Sequence, residues 1–293
     1  MADDERFSRF RDPDISGIDM HVHGGTRDRR PGEAAPQVKQ GRTGQSYDFD
    51  EFVANYRERR MCAVIFDVDR SHVTGVPVSN DAVAELVDKA PDMLMGFCSV
   101  DPWGGKASVQ EIRRCAADLH MRGVKFQPVT QAFFPNDEMF YPIYEACQEL
   151  GLVVVMHSGT TAVGQGSPGG GGYKLKYAKP IFLDDIAADF PDLRIVSAHP
   201  SWPWHEEALA VARHKPNVYI DLSGWAPRYF PESVVQQANT LLQDKILFGT
   251  DHPVISPDRW LSDFAELPIK EAVRPKIMVD NARRLLGFDG TSG

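Results

Sequence analysis

The 293-residue chain is 42% hydrophobic and 25% charged, enough apolar material for one large α/β domain with a full core or for two ordinary domains. Acidic residues outnumber basic ones by 41 to 32 and the net charge is -9, so no overall basic field exists to hold a nucleic acid backbone. The charged opening "MADDERFSRFRDPD" lacks the apolar core of a secretory signal, and no later run approaches the roughly 20 apolar residues that cross a bilayer, so the expectation is a cytoplasmic protein with no membrane contact.

The first β-rich run, "ISGIDMHVH" from Ile15, ends on His21 and His23. A long polar loop follows from Gly24 to Tyr47, carrying Arg27, Arg29, Arg30, Lys39 and Arg42. Three more runs come next: "MCAVIFDV" from Met61, "MLMGFCSV" from Met93 and "GVKFQP" from Gly123. In "DEMFYPIYEACQEL" the residues Phe140, Ile143, Tyr144 and Cys147 recur at the spacing of one helix face. "LVVVMHSG" from Leu152 opens a second long loop, Gly159 to Pro180, whose "GQGSPGGGGYK" reads as a flexible segment because it lacks the GK[ST] step of a phosphate-binding loop. "LRIVSAHP" from Leu193, "NVYIDLSG" from Asn217 and "ILFGTDHP" from Ile246 complete the strands, and "VRPKIMVDNARRLLGF" reads as a closing helix outside them, without chemistry.

Each run is nearly continuously apolar, as expected of parallel strands covered on both faces. Eight strand and helix units with no composition break predict a (β/α)8 TIM barrel, a single domain over residues 1–293 with long loops after strands 1 and 5. No GxGxxG follows the first strand, which argues against a dinucleotide-binding sheet. Cys62, Cys98, Cys115 and Cys147 form no CxxC pair and read as buried, reduced thiols.

Polar residues that can ligate a metal close several of these runs. His21 and His23 stand two apart, so both face one side of a strand, and His157, His199 and Asp251 end strands five, six and eight. Each has a structural explanation of its own: His157 as a cap for the "SGTT" turn, His199 as the residue before the Pro200 turn, Asp251 as a turn aspartate. Burying so many polar groups at one barrel mouth is costly without a shared partner, and a divalent ion supplies one.

The ordered set "GIDMHVH", "GVKFQP", "VVVMHSG", "IVSAHP", "LFGTDHP" and "NARRLLG" resembles the amidohydrolase superfamily, in the branch with aminocarboxymuconate semialdehyde and resorcylate decarboxylases. The resemblance implies one divalent metal, zinc or manganese, on His21, His23, His157 and Asp251, with His199 beside it and an acid-base role for His199 and Asp251. It also leaves open a binuclear site bridged by a carboxylated Lys125, against the alternative that Lys125 pairs with a substrate carboxylate. "HPSWPWHEEAL" and "NVYIDLSGW" look more like a group of 4-hydroxyphenyl-β-ketoacyl-CoA hydrolases. The expected activity is therefore hydrolysis of an aromatic or ring-cleavage carboxylate, lactone or β-ketoacyl thioester, with non-oxidative decarboxylation on the same scaffold as the alternative. Arg27 and Lys125 are candidate anion anchors, and Trp202 a candidate ring-stacking residue. The family further implies a small-molecule substrate and a homo-oligomer.

Overall fold

A computed structural model describes residues 6–24, 48–75 and 77–289. The first long loop, with the candidate anchor Arg27, lies outside the described residues from 25 to 47. All eight predicted strands form: β1 (Gly17–His23), β2 (Met61–Phe66), β3 (Leu94–Gly96), β4 (Gly123–Phe126), β5 (Val153–His157), β6 (Arg194–Ala198), β7 (Val218–Asp221) and β8 (Ile246–Leu247). They pair in parallel and in chain order, as a three-stranded sheet β1-β2-β3 and a five-stranded sheet β4 to β8. Single bridges join the sheets at both seams, Cys98 with Val124 and Val22 with His252, giving the arrangement of a (β/α)8 barrel.

Helices α1 (Phe49–Glu58), α2 (Asn80–Asp88), α3 (Lys106–Ala117), α4 (Tyr141–Glu149), α5 (Phe182–Asp189), α6 (His205–His214) and α7 (Glu232–Ala238) follow β1 to β7 in turn, with single helical turns Ser71–Thr74 and Pro128–Gln131 preceding α2 and α4. After β8 come α8 (Pro257–Ala265) and α9 (Asn281–Leu286). The starts of several obey simple capping chemistry. Asp48 accepts from the backbone N–H groups of Asp50 and Glu51 at the start of α1, and Ser256, followed by Pro257, accepts from Arg259 N–H at the start of α8. Each helix buries one stripe against the strands, as with Phe52 and Tyr56 of α1 or Ile143, Tyr144 and Cys147 of α4. The four cysteines are free and buried, and among the described residues no helix is long and apolar enough to cross a membrane.

Two elements depart from the sequence reading. The closing segment is not one helix: a π-helical turn, Lys276–Asp280, precedes α9, and there the Ile277 carbonyl accepts from Phe248 N–H at 2.9 Å, joining this segment to the chain after β8. The eighth run, in turn, is regular only over Ile246–Leu247, so Asp251 lies in the turn beyond its strand.

The two ends of the barrel differ in kind. At the end where strands begin, Phe7 and Phe10 pack with Phe288 at centroid distances of 6.4 and 5.5 Å, and Arg283 Nε donates to the Phe10 carbonyl at 2.8 Å. This aromatic plug buries the strand starts, which leaves the end where strands finish for chemistry.

Gly123 opens β4 where there is no room for a side chain: a Cβ would stand 2.4 Å from the Phe97 ring and 2.5 Å from the Val153 carbonyl oxygen. Gly123→Ala should lower stability by about 1–3 kcal/mol, the usual cost of overpacking a core, read as a fall in the urea midpoint. An unchanged midpoint would mean that the β4–β5 pair shifts freely.

Candidate metal centre

β1 delivers three polar side chains, Asp19, His21 and His23, to the barrel interior, because alternate residues of a strand share a face. Its register with β2 slips between Asp19 and Val22, an irregularity of the kind common beside active sites. Asp251 arrives from the turn after β8, its backbone N–H held by the His21 carbonyl at 2.8 Å. Its Oδ1 lies 3.0 Å from His23 Nε2 and 3.3 Å from His21 Nε2. Ligands sharing one tetrahedral ion at about 2.1 Å are spaced by about 3.4 Å, so Asp251 stands from each histidine at close to the separation that such an ion imposes. The three form a recognisable ligand group.

The other expected residues sit around it. His157 ends β5, and its Nδ1 lies 2.9 Å from His199 Nε2 rather than within the group of three. Its Nε2 is buried and takes no hydrogen bond among the described residues, the mark of a nitrogen built to meet something else. Lys125, on β4, is 1% exposed, with Nζ 3.3 Å from His21 Nε2 and 5.1 Å above the Phe66 ring. Trp202, in the loop after β6, is 48% exposed and 6.0 Å from Trp225.

Residues 18–288 match the amidohydrolase family. The chain belongs to the amidohydrolase family. This amidohydrolase is 22% identical to a 2-amino-3-carboxymuconate-6-semialdehyde decarboxylase of Dictyostelium discoideum over 72% of its own length and 66% of that protein's, just under two thirds of the latter. It is 23% identical to a gamma-resorcylate decarboxylase of Rhizobium sp. over 72% of this chain and 76% of that one. Among solved structures, an uncharacterized TIM-barrel protein of Bordetella bronchiseptica superposes with a TM-score of 0.70 at 29% identity, covering 83% of this chain and 84% of the other. A Polaromonas dihydroxybenzoic acid decarboxylase with bound manganese and 2-nitroresorcinol gives 0.66 at 19% identity over 94% and 98% of the two chains. A probable 2-pyrone-4,6-dicarboxylic acid hydrolase of Acinetobacter baumannii gives 0.65 at 16% identity over 93% and 100%. The protein is an enzyme of the amidohydrolase superfamily.

Electrostatics suit a cation at the amidohydrolase site. Burial, reinforced by Lys125, holds His21 neutral by lowering its pKa to about 3, and burial lowers His157 and His199 as well. Burial alone would push Asp251 up, but the hydrogen bond from His23 and the facing His21 and His23 rings hold it well below the usual carboxylate range. Burial also lowers Lys125, to about 8, which leaves an ammonium at neutral pH. Neutral imidazoles and an ionised carboxylate are the protonation states that metal ligands need.

Sequence reading passed over Asp221, Ser223 and Asp19. Asp221 is the last residue of β7 and lies 3.0 Å from His21 Nδ1, on the far side of that ring from Asp251. It closes an apolar run just as His157 and Asp251 do, so the signal was present. Two of these residues, His199 and Asp251, hold left-handed backbone at φ 71° and 64°, strain of a kind that clusters at functional sites.

Gly224 leaves the space that His199 occupies. A Cβ there would stand 2.6 Å from His199 Nδ1 and 3.3 Å from Asp251 Oδ2, and its φ of +74° disfavours any side chain. Gly224→Ala should cut activity at least tenfold and lower the melting temperature by several degrees, in line with a cost of about 1–2 kcal/mol for left-handed backbone. Full activity in the variant would place His199 outside the working site.

Proposed function

We propose that this amidohydrolase is a divalent-metal-dependent, non-oxidative decarboxylase of a small aromatic or muconate-type carboxylate. The observation that supports it most is the convergence of His21, His23 and Asp251 in a chain whose curated relatives above are decarboxylases. His157 Nε2, buried and without a hydrogen-bond partner among the described residues, serves as the fourth donor. An N and O donor set of this kind takes zinc or manganese. Bound there, the ion supplies positive charge that anchors the substrate's carboxylate and adjacent oxygen and stabilises negative charge developing beside them.

The chain's own groups must manage the proton. In decarboxylation the carbon bearing the carboxylate gains a proton, then the bond to the carboxyl carbon breaks, its electron pair returns to the substrate and carbon dioxide leaves. Asp251 Oδ1 is hydrogen-bonded to His23 Nε2, while Oδ2 takes no hydrogen bond among the described residues and can carry that proton to carbon. Asp251 starts ionised, so the proton it delivers is one it first accepts from water or a substrate hydroxyl. His199 Nε2 is already occupied by His157, which makes His199 the residue that holds His157 in place. The Lys125 ammonium adds a fixed positive charge favouring an acidic substrate.

A second reading, metal-dependent hydrolysis of a lactone or β-ketoacyl thioester, is favoured by the likeness to the pyrone hydrolase. Isotopes separate the two. With hydroxybenzoates and muconate-type acids in deuterium oxide, decarboxylation should release carbon dioxide and place one deuterium on the product carbon; labelled oxygen from water appearing in the product would overturn it in favour of hydrolysis.

Metal analysis of protein purified without added ions should give close to one divalent ion per chain, and two would instead favour a bridging Lys125. His157→Ala should lose metal and activity together. His199→Ala should keep its metal when the ion is supplied in excess and lose about 10–100-fold in activity, the usual cost of removing a group that orients a ligand; equal metal loss in both variants would make His199 a ligand.

A further inference from the structure

Asp221 and Ser223, at the end of β7, are fully buried behind His21 and His199. Asp221 Oδ1 is where three donors meet: the backbone N–H of His199 at 3.2 Å, the backbone N–H of Ser223 at 2.9 Å and the Ser223 hydroxyl. Asp221 Oδ2 faces His21 Nδ1 at 3.0 Å. A carboxylate only accepts, so His21 carries its hydrogen on Nδ1 and its lone pair on Nε2. The Lys125 ammonium agrees, since it only donates and stands 3.3 Å from that Nε2.

The same reasoning passes to the next two rings. The single hydrogen of the Ser223 hydroxyl is committed to Asp221, so its Oγ accepts from the rings beside it, 3.0 Å from His21 Nδ1 and 2.9 Å from His199 Nδ1. His199 Nδ1 also meets the Ser223 carbonyl at 3.1 Å, another pure acceptor. His199 therefore has its hydrogen on Nδ1 and its lone pair on Nε2, which faces His157 Nδ1 at 2.9 Å. His157 must supply the hydrogen of that contact, and its own lone pair comes to rest on Nε2, the buried atom with no hydrogen-bond partner among the described residues.

We propose that Asp221, with the Ser223 hydroxyl as its relay, is a tautomer lock: it sets the hydrogens of His21, His199 and His157 on Nδ1, so that the Nε2 lone pairs of His21 and His157 are available to one ion. Asp221 is a positioning residue, acting through the rings it holds. The proposal rests on the metal reading above for its purpose, but the hydrogen positions can be measured without metal.

Asp221→Asn keeps the shape and inverts one contact. Three donors at the Oδ1 position retain the amide oxygen there, so the amide N–H₂ takes the Oδ2 position against His21 Nδ1. His21 then carries its hydrogen on Nε2, the atom that should bind metal. In metal-free protein labelled with ¹⁵N-histidine, nitrogen spectra should report hydrogens on Nδ1 for His21, His157 and His199, and on Nε2 for His21 alone in the variant. Zinc affinity, measured by competition with a chelator, should fall about 10–100-fold. A wild-type His21 with its hydrogen on Nε2 overturns the lock without any variant, and so does a folded Asp221→Asn protein with its His21 tautomer or its zinc affinity unchanged. Wild-type protein that binds no zinc or manganese overturns the metal reading instead, and the metal-free spectra still decide the lock.

Discussion

A barrel of parallel strands closes only if its first strand meets its last, and one buried carboxylate, Asp19, holds that seam. Its two oxygens take the backbone N–H groups of His21 and Thr250, both at 3.0 Å, the Thr250 hydroxyl at 2.6 Å and the Tyr56 hydroxyl at 2.7 Å. Burial still pushes its pKa up, to about 6, despite those bonds. A carboxylate so placed is tolerable only because every lone pair it offers is used. Backbone bonds from Met20, His23 and Asp251 to the opposite strand or turn complete the join. His21 and Asp251, from opposite ends of the chain, share a site because this seam holds.

Charge follows from the same closure. Asp221 and Asp251 are both held ionised in the barrel, facing one ammonium, Lys125. Among the described residues that leaves the cluster short of positive charge, and neutral histidines do not supply it. The balance favours a cation at the cluster, as does a net charge of -9 over the whole chain.

Much of this was legible in the sequence because the physics behind it is local. Strands buried on both faces must be apolar throughout, so all eight runs stand out, and a histidine or aspartate ending such a run is conspicuous. His21, His23, His157, His199 and Asp251 were legible for that reason. Asp19 and Asp221 carried the same signal and were missed: Asp19 shares the two-residue spacing of His21 and His23, and Asp221 ends "NVYID" as His157 ends "VVVMH". Their partners come from distant strands, and spacing along the chain cannot display those pairings. The reaction was less legible than the metal. Weight placed on "HPSWPW" favoured hydrolysis, yet Trp202 is a half-exposed rim residue, and the curated relatives above are named as decarboxylases. Choice between such reactions lies in loops, whose sequences are under weaker physical constraint than strands.

The left-handed backbone at His199 and Asp251 has an evolutionary side. Glycine or asparagine at either position would relax the chain and remove a strain of order 1–3 kcal/mol. Selection for fold stability alone therefore pushes these two positions away from the histidine and aspartate that the proposed reaction uses. On the proposed function their side chains persist under selection for turnover, so a lineage that lost its substrate would erode here before its barrel weakened.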